Sequence, residues 1–409
     1  MTKKSDAPAI RFKGFSDAWE QRKLSEIAGK VTEKNTGLQY VETLTNSAEF
    51  GIISQRDFFD HDIAKLGSLD GYYIVKNEDF VYNPRISTSA PVGPINRNKL
   101  GRTGVMSPLY TVFRPHDIDT TYLEHFFKCG YWYSFMNFNG DSGARSDRFS
   151  IKDDVFFQMP IPVPHIEEQR KIGLFLTQLD HLITLHQRKF EKLTNVKKSM
   201  LEKMFPQNGS SYPEIRFKGF TDPWEQRKVS DLAEKTYGGG TPTTSNEAYW
   251  NGDIPWIQSS DVVDGKLLGV EPRKWITQDG LNNSAAQLIP GNSIAIITRV
   301  GVGKLAFMPY SYATSQDFLS LSKLNAEPLF TVYACYKKLQ SELNAVQGTS
   351  IKGITKDELL AKNIMVPRYA EQQQIGAFFK QLDNLITLHQ RELEKLQNIK
   401  KSMLEKMFV

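Results

Sequence analysis

The sequence has 409 residues, of which 40% are hydrophobic and 24% are charged, and its net charge is +5. This length suits two domains of ordinary size, and the composition is typical of a globular protein. No apolar run approaches the roughly 18 residues of a membrane-spanning helix, and no apolar core follows the N-terminal lysines, as it would in a secretory signal. The two cysteines, Cys129 and Cys335, are typical of buried thiols in a cytoplasmic protein.

The excess of positive charge lies in two segments, 165–205 and 368–409. Together they contain 15 of the 51 basic residues and 10 of the 46 acidic residues, and the rest of the chain contains 36 of each. Because that remainder is neutral, any contact that it makes with a polyanion depends on local clusters of basic side chains.

Two kinds of repeat alternate along the chain. The short repeat, RFKGFSDAWEQRKLSEIA at Arg11–Ala28, returns at Arg216–Ala233 with 13 of 18 positions identical. The long repeat, Pro164–Phe205, returns at Pro367–Phe408 with 29 of 42 positions identical. The intervening stretches show no comparable match. The order is therefore short motif, variable module and long segment, and then the same order again.

Each variable module is predicted to be mixed α/β. In the first module, Gly71–Tyr82 and Met106–Pro115 read as strands and Thr121–Met136 as a helix. In the second, Asn292–Met308 reads as strands and Pro328–Leu343 as a helix, so we expect a shared fold. The predicted domains are a disordered tail at 1–10, a first module at 11–163, a long helix with a linker at 164–209, a second module at 210–366 and a second long helix at 367–409.

The long repeat predicts a helix with one apolar seam, because apolar residues recur at alternating spacings of four and three. We expect the two copies to pack against each other, since one such helix cannot bury its seam alone. Because near-identical halves carry them and a whole module joins them, we expect an antiparallel coiled coil about an internal pseudo-twofold. The predicted seam consists of Ile172, Leu176, Leu179, Ile183, His186, Leu193, Ile375, Phe379, Leu382, Ile386, His389 and Leu396. The two histidines either meet at the helix midpoints or point to solvent. No further Cys, Asp or His supports a metal site.

The sequence contains no convincing catalytic motif. YNPRI (Tyr82–Ile86) lacks the second proline of an amino-methyltransferase motif, and GVGKL (Gly301–Leu305) lacks the rest of a phosphate-binding loop. We therefore expect no catalytic residue, no metal and no cofactor in this chain.

Both modules contain polar and basic clusters of the kind that contact nucleic acid. Arg, Gln and Asn side chains can each make two hydrogen bonds to one purine in the major groove, and Lys, Ser and Thr more often hold phosphate. The candidates in the first module are Gln55, Arg56, Asn83, Arg85, Arg97, Lys99, Arg145 and Arg148, and those in the second are Thr241, Thr243, Ser245, Gln258, Ser259, Arg299, Lys304, Gln316 and Lys352.

The whole arrangement resembles the specificity (S) subunit of type I restriction-modification systems. The resemblance rests on the two short repeats, on GGGTPTTSNEAYWNGDIPWIQSSD at Gly238–Asp261, and on PIPVPHIEEQRKIGLFLTQLD and MVPRYAEQQQIGAFFKQLD at the starts of the long helices. It implies two target-recognition domains separated by two conserved helices in an antiparallel coiled coil. Each domain would read one half of a bipartite DNA target, and the helices would set the unread gap.

The same resemblance implies the partners. Two methyltransferase (M) subunits and the restriction/translocase (R) subunits would join the chain to form a site-specific deoxyribonuclease and adenine-N6 methyltransferase. S-adenosylmethionine, ATP and Mg would bind to those partners. Two other functions remain open at this point: a stand-alone DNA-binding regulator, which would bind tightly unaided, and a coiled-coil scaffold, which would read no DNA sequence.

Overall fold

The structure is a computed structural model, and it describes residues 7–59, 66–142, 147–207, 209–345 and 353–408. The chain forms two compact units. The first consists of Met1–Leu185 with Leu393–Val409, and the second of His186–Glu392. Each unit therefore combines one module with the first part of one long helix and the last part of the other. This division differs from the predicted boundaries, which gave each long helix a segment of its own.

The first module is built on a four-stranded antiparallel sheet. Its elements in chain order are β1 (Glu20–Lys23), β2 (Ala28–Lys30), β3 (Leu44–Ser47), β4 (Gly51–Ser54), α1 (Gln55–Phe59), β5 (Tyr73–Val75), β6 (Phe80–Tyr82), β7 (Ile95–Arg97), β8 (Gly104–Met106), β9 (Thr111–Pro115), α2 (Thr120–Lys128), α3 (Tyr133–Asn139), α4 (Asp153–Phe156) and β10 (Pro160–Val163). The main sheet has the order β2-β9-β6-β7, and β3-β4, β5-β8 and β1-β10 form antiparallel pairs.

The second module repeats this plan after the first long helix, α5 (Ile166–Lys203). Its elements are β11 (Glu225–Lys228), β12 (Ala233–Gly238), β13 (Trp250–Ile257), β14 (Lys274–Ile276), α6 (Gln278–Asn282), β15 (Ser293–Ile297), β16 (Leu305–Met308), β17 (Ala313–Thr314), β18 (Phe318–Leu324), α7 (Pro328–Ala345), α8 (Lys356–Leu360) and β19 (Asn363–Val366), followed by the second long helix, α9 (Tyr369–Lys406). The main sheet has the order β12-β18-β15-β16, and β14-β13-β17 forms a smaller sheet.

The two main sheets share one topology. The order β2-β9-β6-β7 corresponds strand for strand to β12-β18-β15-β16, and both sheets are antiparallel throughout. The identical sequence EQRK forms β1 and β11, and each pairs with the strand that precedes a long helix. The predicted fold class, two similar mixed α/β modules with two long helices, is confirmed.

One predicted helix is interrupted. The segment Thr121–Met136 was expected to be continuous, but α2 ends at Lys128 and α3 begins at Tyr133. Gly130 between them has φ +75°, a left-handed conformation that favours glycine and ends a helix. The apolar spacing alone did not show this break, because both short helices bury residues in the same core.

The long helices bury the predicted seam within each unit. In the first unit, Ile172, Leu176 and Leu179 of α5 belong to one core with Met407, and Leu396 packs against that core. In the second, Ile375, Phe379 and Leu382 of α9 share a core with Leu201 and Met204, and Leu193 packs against it. Nearer the middle, Ile183, Ile386, His186 and His389 are half-buried. No helix in the described ranges is long and apolar enough to cross a membrane.

The helix segments run in opposite directions in each unit. In the first, Asp180 in the first half of α5 pairs with Lys400 near the end of α9. In the second, Asp383 in the first half of α9 pairs with Lys197 near the end of α5, with Nζ and Oδ1 2.5 Å apart. The first half of one helix thus lies beside the second half of the other, as an antiparallel coiled coil requires.

The short repeat, together with the isoleucine that precedes each copy, holds these helix ends together. In the first unit, the Ile10 amide donates to the Lys406 carbonyl at the end of α9, and Arg11 binds Glu168 at the start of α5 through two nitrogens. In the second unit, the Ile215 amide donates to the Lys203 carbonyl at the end of α5. Arg216 binds Glu371 at the start of α9 in the same two-pronged way, which explains why the motif occurs once per unit.

Candidate nucleic-acid interface

In the second module, four of the residues predicted to contact DNA lie where strands of the main sheet and of the smaller sheet begin or end. Gln258 follows β13, Arg299 lies just beyond the end of β15, and Gln316 precedes β18, which runs antiparallel to β15. Backbone hydrogen bonds hold these ends together, since Ser315 N donates to Ile257 O and Thr298 N donates to Asp317 O. Thr241 Oγ1 also donates to Gln316 Oε1 at 2.6 Å.

A close-packed glycine turn places Thr241 at this edge. A Cβ on Gly239 would lie 1.9 Å from the Ser315 carbonyl oxygen, and one on Gly240 would lie 2.3 Å from the Ala285 carbonyl carbon. Only glycine allows so close an approach of backbones. Beyond this turn, Thr243 and Ser245 are exposed, while Gln258 and Ser259 are half-buried.

The turn between β15 and β16 presents two basic side chains. Arg299 is exposed, Lys304 is half-buried, and the Lys304 amide donates to Gly301 O. Within the described ranges, neither side chain is in an ion pair with an acidic residue. Positive charge without an acidic partner is available to a phosphate or a base edge.

The equivalent strand end of the first module carries a comparable pair. Asn83 follows β6, which occupies the position of β15 in the sheet order, and Arg85 comes two residues later. Arg85 forms an isolated antiparallel bridge with Arg148. As far as the described residues show, neither guanidinium is in an ion pair. The backbone therefore holds two arginines together, and no carboxylate in the described part of the chain neutralises them.

Other predicted residues are engaged in the fold of the first module. Gln55 is buried and donates to the Leu44 carbonyl. Arg97 contacts Glu78 and Glu124, and Lys99 also contacts Glu124. Burial opposes ionisation of Glu124, but Lys128 and Lys99 outweigh it and lower the pKa of this carboxyl to about 2. Gln55, Arg97 and Lys99 are therefore weaker candidates than Arg85 and Arg148.

The remaining candidates divide as follows. Arg56 is exposed on α1 and already has an interaction partner. Arg145 and Lys352 lie outside the described residues. The structure does not identify which residues contact bases, so the individual assignments stay predictions.

An asparagine network supports the edge of the first module and was not predicted. Asn46 is buried and donates to the Val81 and Pro94 carbonyls, Asn83 donates to the Asn46 carbonyl, and Asn96 donates to Asn46 Oδ1. These contacts join strands that are far apart in sequence, so no local pattern could reveal them.

The two seam histidines meet within the second unit. The Nδ1 atoms of His186 and His389 are 3.1 Å apart, and the ring centroids are separated by 5.1 Å. A hydrogen bond between the two Nδ1 atoms requires one of them to be unprotonated, so at least one of the two imidazoles is neutral. Burial, together with His186 and Lys189, lowers the pKa of His389. Of the two arrangements considered from the sequence, the meeting of the histidines is the one observed.

Each of the two modules contains a sheet of the same topology and is bound to a pair of long antiparallel helix segments. This arrangement defines a class of proteins with two modules and two long paired helices. The family model described as "Type I restriction modification DNA specificity domain" matches residues 16–195 and 221–398. These two matches cover most of the chain, so the protein belongs to this family.

Individual relatives agree with this family. The chain is 28% identical over 193 residues to the type I restriction enzyme MjaIX specificity subunit of Methanocaldococcus jannaschii, covering 46% of this chain and 44% of that protein. It is 26% identical over 266 residues to the EcoR124I/EcoR124II specificity subunit of Escherichia coli, covering 62% of this chain and 63% of that protein. The chain thus spans less than two thirds of the length of these relatives.

A solved structure shows the same fold. The type I restriction-modification S subunit from M. genitalium aligns with 98% of this chain and 99% of its own, with a TM-score of 0.61 and 12% sequence identity. A chain from a structure of type I R-M complex assembly and conformational transition aligns with 95% of this chain and 97% of its own, with a TM-score of 0.50 and 16% identity.

Proposed function

We propose that this chain is the DNA specificity subunit of a type I restriction-modification enzyme and that each module reads one half of a bipartite target. The observation that carries the proposal is the pair of equivalent strand ends. In both modules, the end of the third strand of the main sheet presents cations that have no acidic partner among the described residues, beside side-chain amides. Family membership supports the same function.

The chemistry of these edges suits double-stranded DNA. The Arg85, Arg148 and Arg299 guanidinium groups can bind guanine O6 and N7 with two hydrogen bonds, and the Gln316 amide can do the same with adenine. Lys304 and Thr241 suit phosphate contacts that fix the position of the module on the duplex. Because the modules are neutral overall, we expect the chain alone to bind weakly and to need its partners for tight binding.

Catalysis is proposed to belong to partner subunits. Two methyltransferase subunits would supply S-adenosylmethionine chemistry, and restriction/translocase subunits would supply ATP- and Mg-dependent translocation and cleavage. The chain itself would be non-catalytic and would act in the cytoplasm, where the DNA and these partners are found. A stand-alone regulator is less favoured, because its tight unaided binding requires a stronger positive field than the modules provide.

The long helices are proposed to set the gap of unread base pairs. Each spans 38 residues, which is about 57 Å at 1.5 Å per residue. One turn of B-form DNA is about 34 Å long, so a rod of this length can separate two half-sites by a fixed distance.

Single substitutions test the proposal. Arg85→Ala and Arg299→Ala should each weaken binding of the assembled enzyme to its target by about 10-fold and should relax specificity only in the half-site of their own module. Arg102→Ala is the matched control, because Arg102 is an exposed arginine that is already paired with Glu42. Methylation mapping of a genome that carries each variant, together with gel-shift titration, measures both effects.

The proposal fails if all three variants behave alike or if the assembled enzyme does not distinguish its target from scrambled DNA. The second result would favour a scaffold. Equal affinity of the chain with and without methyltransferase subunits would favour the stand-alone regulator.

A further inference from the structure

Three phenylalanines form an exposed cluster, here called the aromatic cluster, at the β3–β4 turn and on α1. Phe50, Phe58 and Phe59 are 60%, 39% and 36% exposed. The centroids of Phe50 and Phe58 are 6.1 Å apart, those of Phe58 and Phe59 are 4.6 Å apart, and both pairs meet edge to face. The core clusters of the described residues include none of the three. A contiguous exposed apolar surface of this kind is available for contact with a partner.

The turn that carries Phe50 is held rigidly. Ser47 Oγ accepts hydrogen bonds from the Glu49 and Phe50 amides, and Gly51 takes a left-handed φ of +69° that closes the turn. Asn96 donates to the Ser47 carbonyl at 3.1 Å and to Asn46 Oδ1 at 2.7 Å. Because Asn96 ties Ser47 to the buried Asn46, the backbone that carries Phe50 is held in one position, which lowers the entropy lost on binding.

The same network joins the aromatic cluster to the arginine pair. Asn83 donates through Nδ2 to the Asn46 carbonyl in β3, and its Oδ1 accepts from the Arg85 amide at 3.0 Å. Arg85 is bridged in turn to Arg148. The apolar surface and two cations without acidic partners in the described chain thus share one anchored edge. That combination is complementary to a polyanion with apolar groups on its surface, which is the character of the DNA major groove.

We propose that the aromatic cluster reads thymine in the first half-site by packing against its C5 methyl group, while Arg85 and Arg148 hold the adjacent phosphates or base edges. The inference rests on the proposed function and adds a second kind of readout to it. Of the four unmodified bases, thymine alone presents a methyl group in the major groove, and aromatic side chains are suited to contact it. Three rings meeting edge to face make a broad patch, whereas a wedge between base steps is a single projecting side chain.

A cycle that combines protein and DNA changes tests this inference. Replacing thymine with uracil removes the methyl group and leaves every hydrogen-bonding atom in place. Each thymine of the mapped first half-site, on either strand, is replaced in turn, and binding of the full chain with its methyltransferase subunits is titrated. The wild-type complex should lose about 3- to 10-fold in affinity at one or two positions. The Phe50→Ala complex should bind thymine DNA more weakly than the wild type by the same factor. Uracil at those positions should not weaken the binding of this variant further, and Phe58→Ala should behave similarly.

Two controls locate the effect. Uracil in the second half-site should affect the wild type and Phe50→Ala equally, because that half-site is read by the other module. Phe138→Ala removes another exposed phenylalanine, on α3 of the same module, and should respond to uracil as the wild type does. The inference is overturned if uracil affects Phe50→Ala and the wild type equally throughout the first half-site, or if only Phe138→Ala shows coupling. Loss of all sequence discrimination by the wild-type complex would instead overturn the proposed function.

Discussion

Glu168 and Glu371 are buried carboxylates at the starts of the long helices, and each depends on one arginine from the short repeat. Trp19 Nε1 also donates to Glu168 at 3.2 Å. A carboxylate in this position is favourable near the helix N-terminus, but its charge is costly to bury without a cation. The arginine of RFKGF therefore stabilises the charge and ties the motif to the helix at the same time.

Removing this cation should destabilise the protein more than removing an exposed one. Arg11→Ala leaves Glu168 buried without its cation, so we expect a loss of about 2–4 kcal/mol in the free energy of unfolding. Arg102→Ala removes the same two-pronged contact with Glu42, but in solvent, and should change stability little. Urea unfolding of the two variants measures the difference, and equal losses would show that the contact between Arg11 and Glu168 does not stabilise the unit.

Residue type and local spacing suggested Arg85 and Arg299 as candidates for DNA contact, and the structure places both at equivalent strand ends. Their contact with DNA stays a prediction. Gln55 and Arg97 carry the same signal, but burial and acidic partners from distant strands engage them. Such partners depend on strand pairing, which residue type and local spacing do not specify.

At the scale of single elements, the apolar spacing predicted the long helices, and the duplication of the two halves predicted the direction in which they pack. The apolar spacing did not predict the break at Gly130, where one residue with left-handed backbone separates two helices that share a core. It also left open the arrangement of the histidines at the middle of the seam, because an imidazole can lie in a coiled-coil interface or in solvent. Contacts across the seam decide this point.

The histidine pair should make the coiled coil sensitive to acid. The pKa of His389 is lowered in the folded chain, chiefly by burial and by His186, whereas an unfolded histidine titrates near about 6.5. The unfolded state then binds more protons as the pH falls below that value, so this contribution to stability is present above about pH 6.5 and is lost as the pH falls toward the folded pKa.

The measurement is urea unfolding at pH 7.5 and pH 5.5. His389→Gln should lose less stability between these two values than the wild type does. An unchanged pH dependence in His389→Gln would contradict the assigned role of the pair.

At the scale of the whole molecule, the duplicated contacts give the chain two equivalent sets of helix ends. Asp180 with Lys400 corresponds to Asp383 with Lys197, and Arg11 with Glu168 corresponds to Arg216 with Glu371. A chain built in this way offers the same surfaces twice, as a symmetric dimer does. Under the proposed function, two copies of one partner would bind to these surfaces, while the modules would read different sequences.

Lengthening the helices should change the unread gap and nothing else. Seven residues inserted into each of Gln178–Arg188 and Gln381–Arg391 keep the phase of the seam and add about 10 Å to each helix. Because base pairs are stacked about 3.4 Å apart, we expect the methylated target to keep both half-sites and to gain up to about three base pairs between them. Methylation mapping shows the outcome, and an altered half-site would contradict the proposed spacing role.

A half-length chain tests the duplication directly. Residues 393–408, which complete the first unit, are identical to residues 190–205 at 13 of 16 positions. Phe408 packs against Tyr122 and Phe126 there, and Phe205 of a second copy can supply the same side chain. Residues 1–209 alone should therefore pair with themselves, since each copy provides the helix end that the other lacks.

The resulting dimer has two first modules, so with methyltransferase subunits it should methylate a palindrome made of the first half-site. Sedimentation and methylation mapping test the two claims separately, and a strictly monomeric fragment in the presence of those partners would contradict the equivalence of the two helix ends.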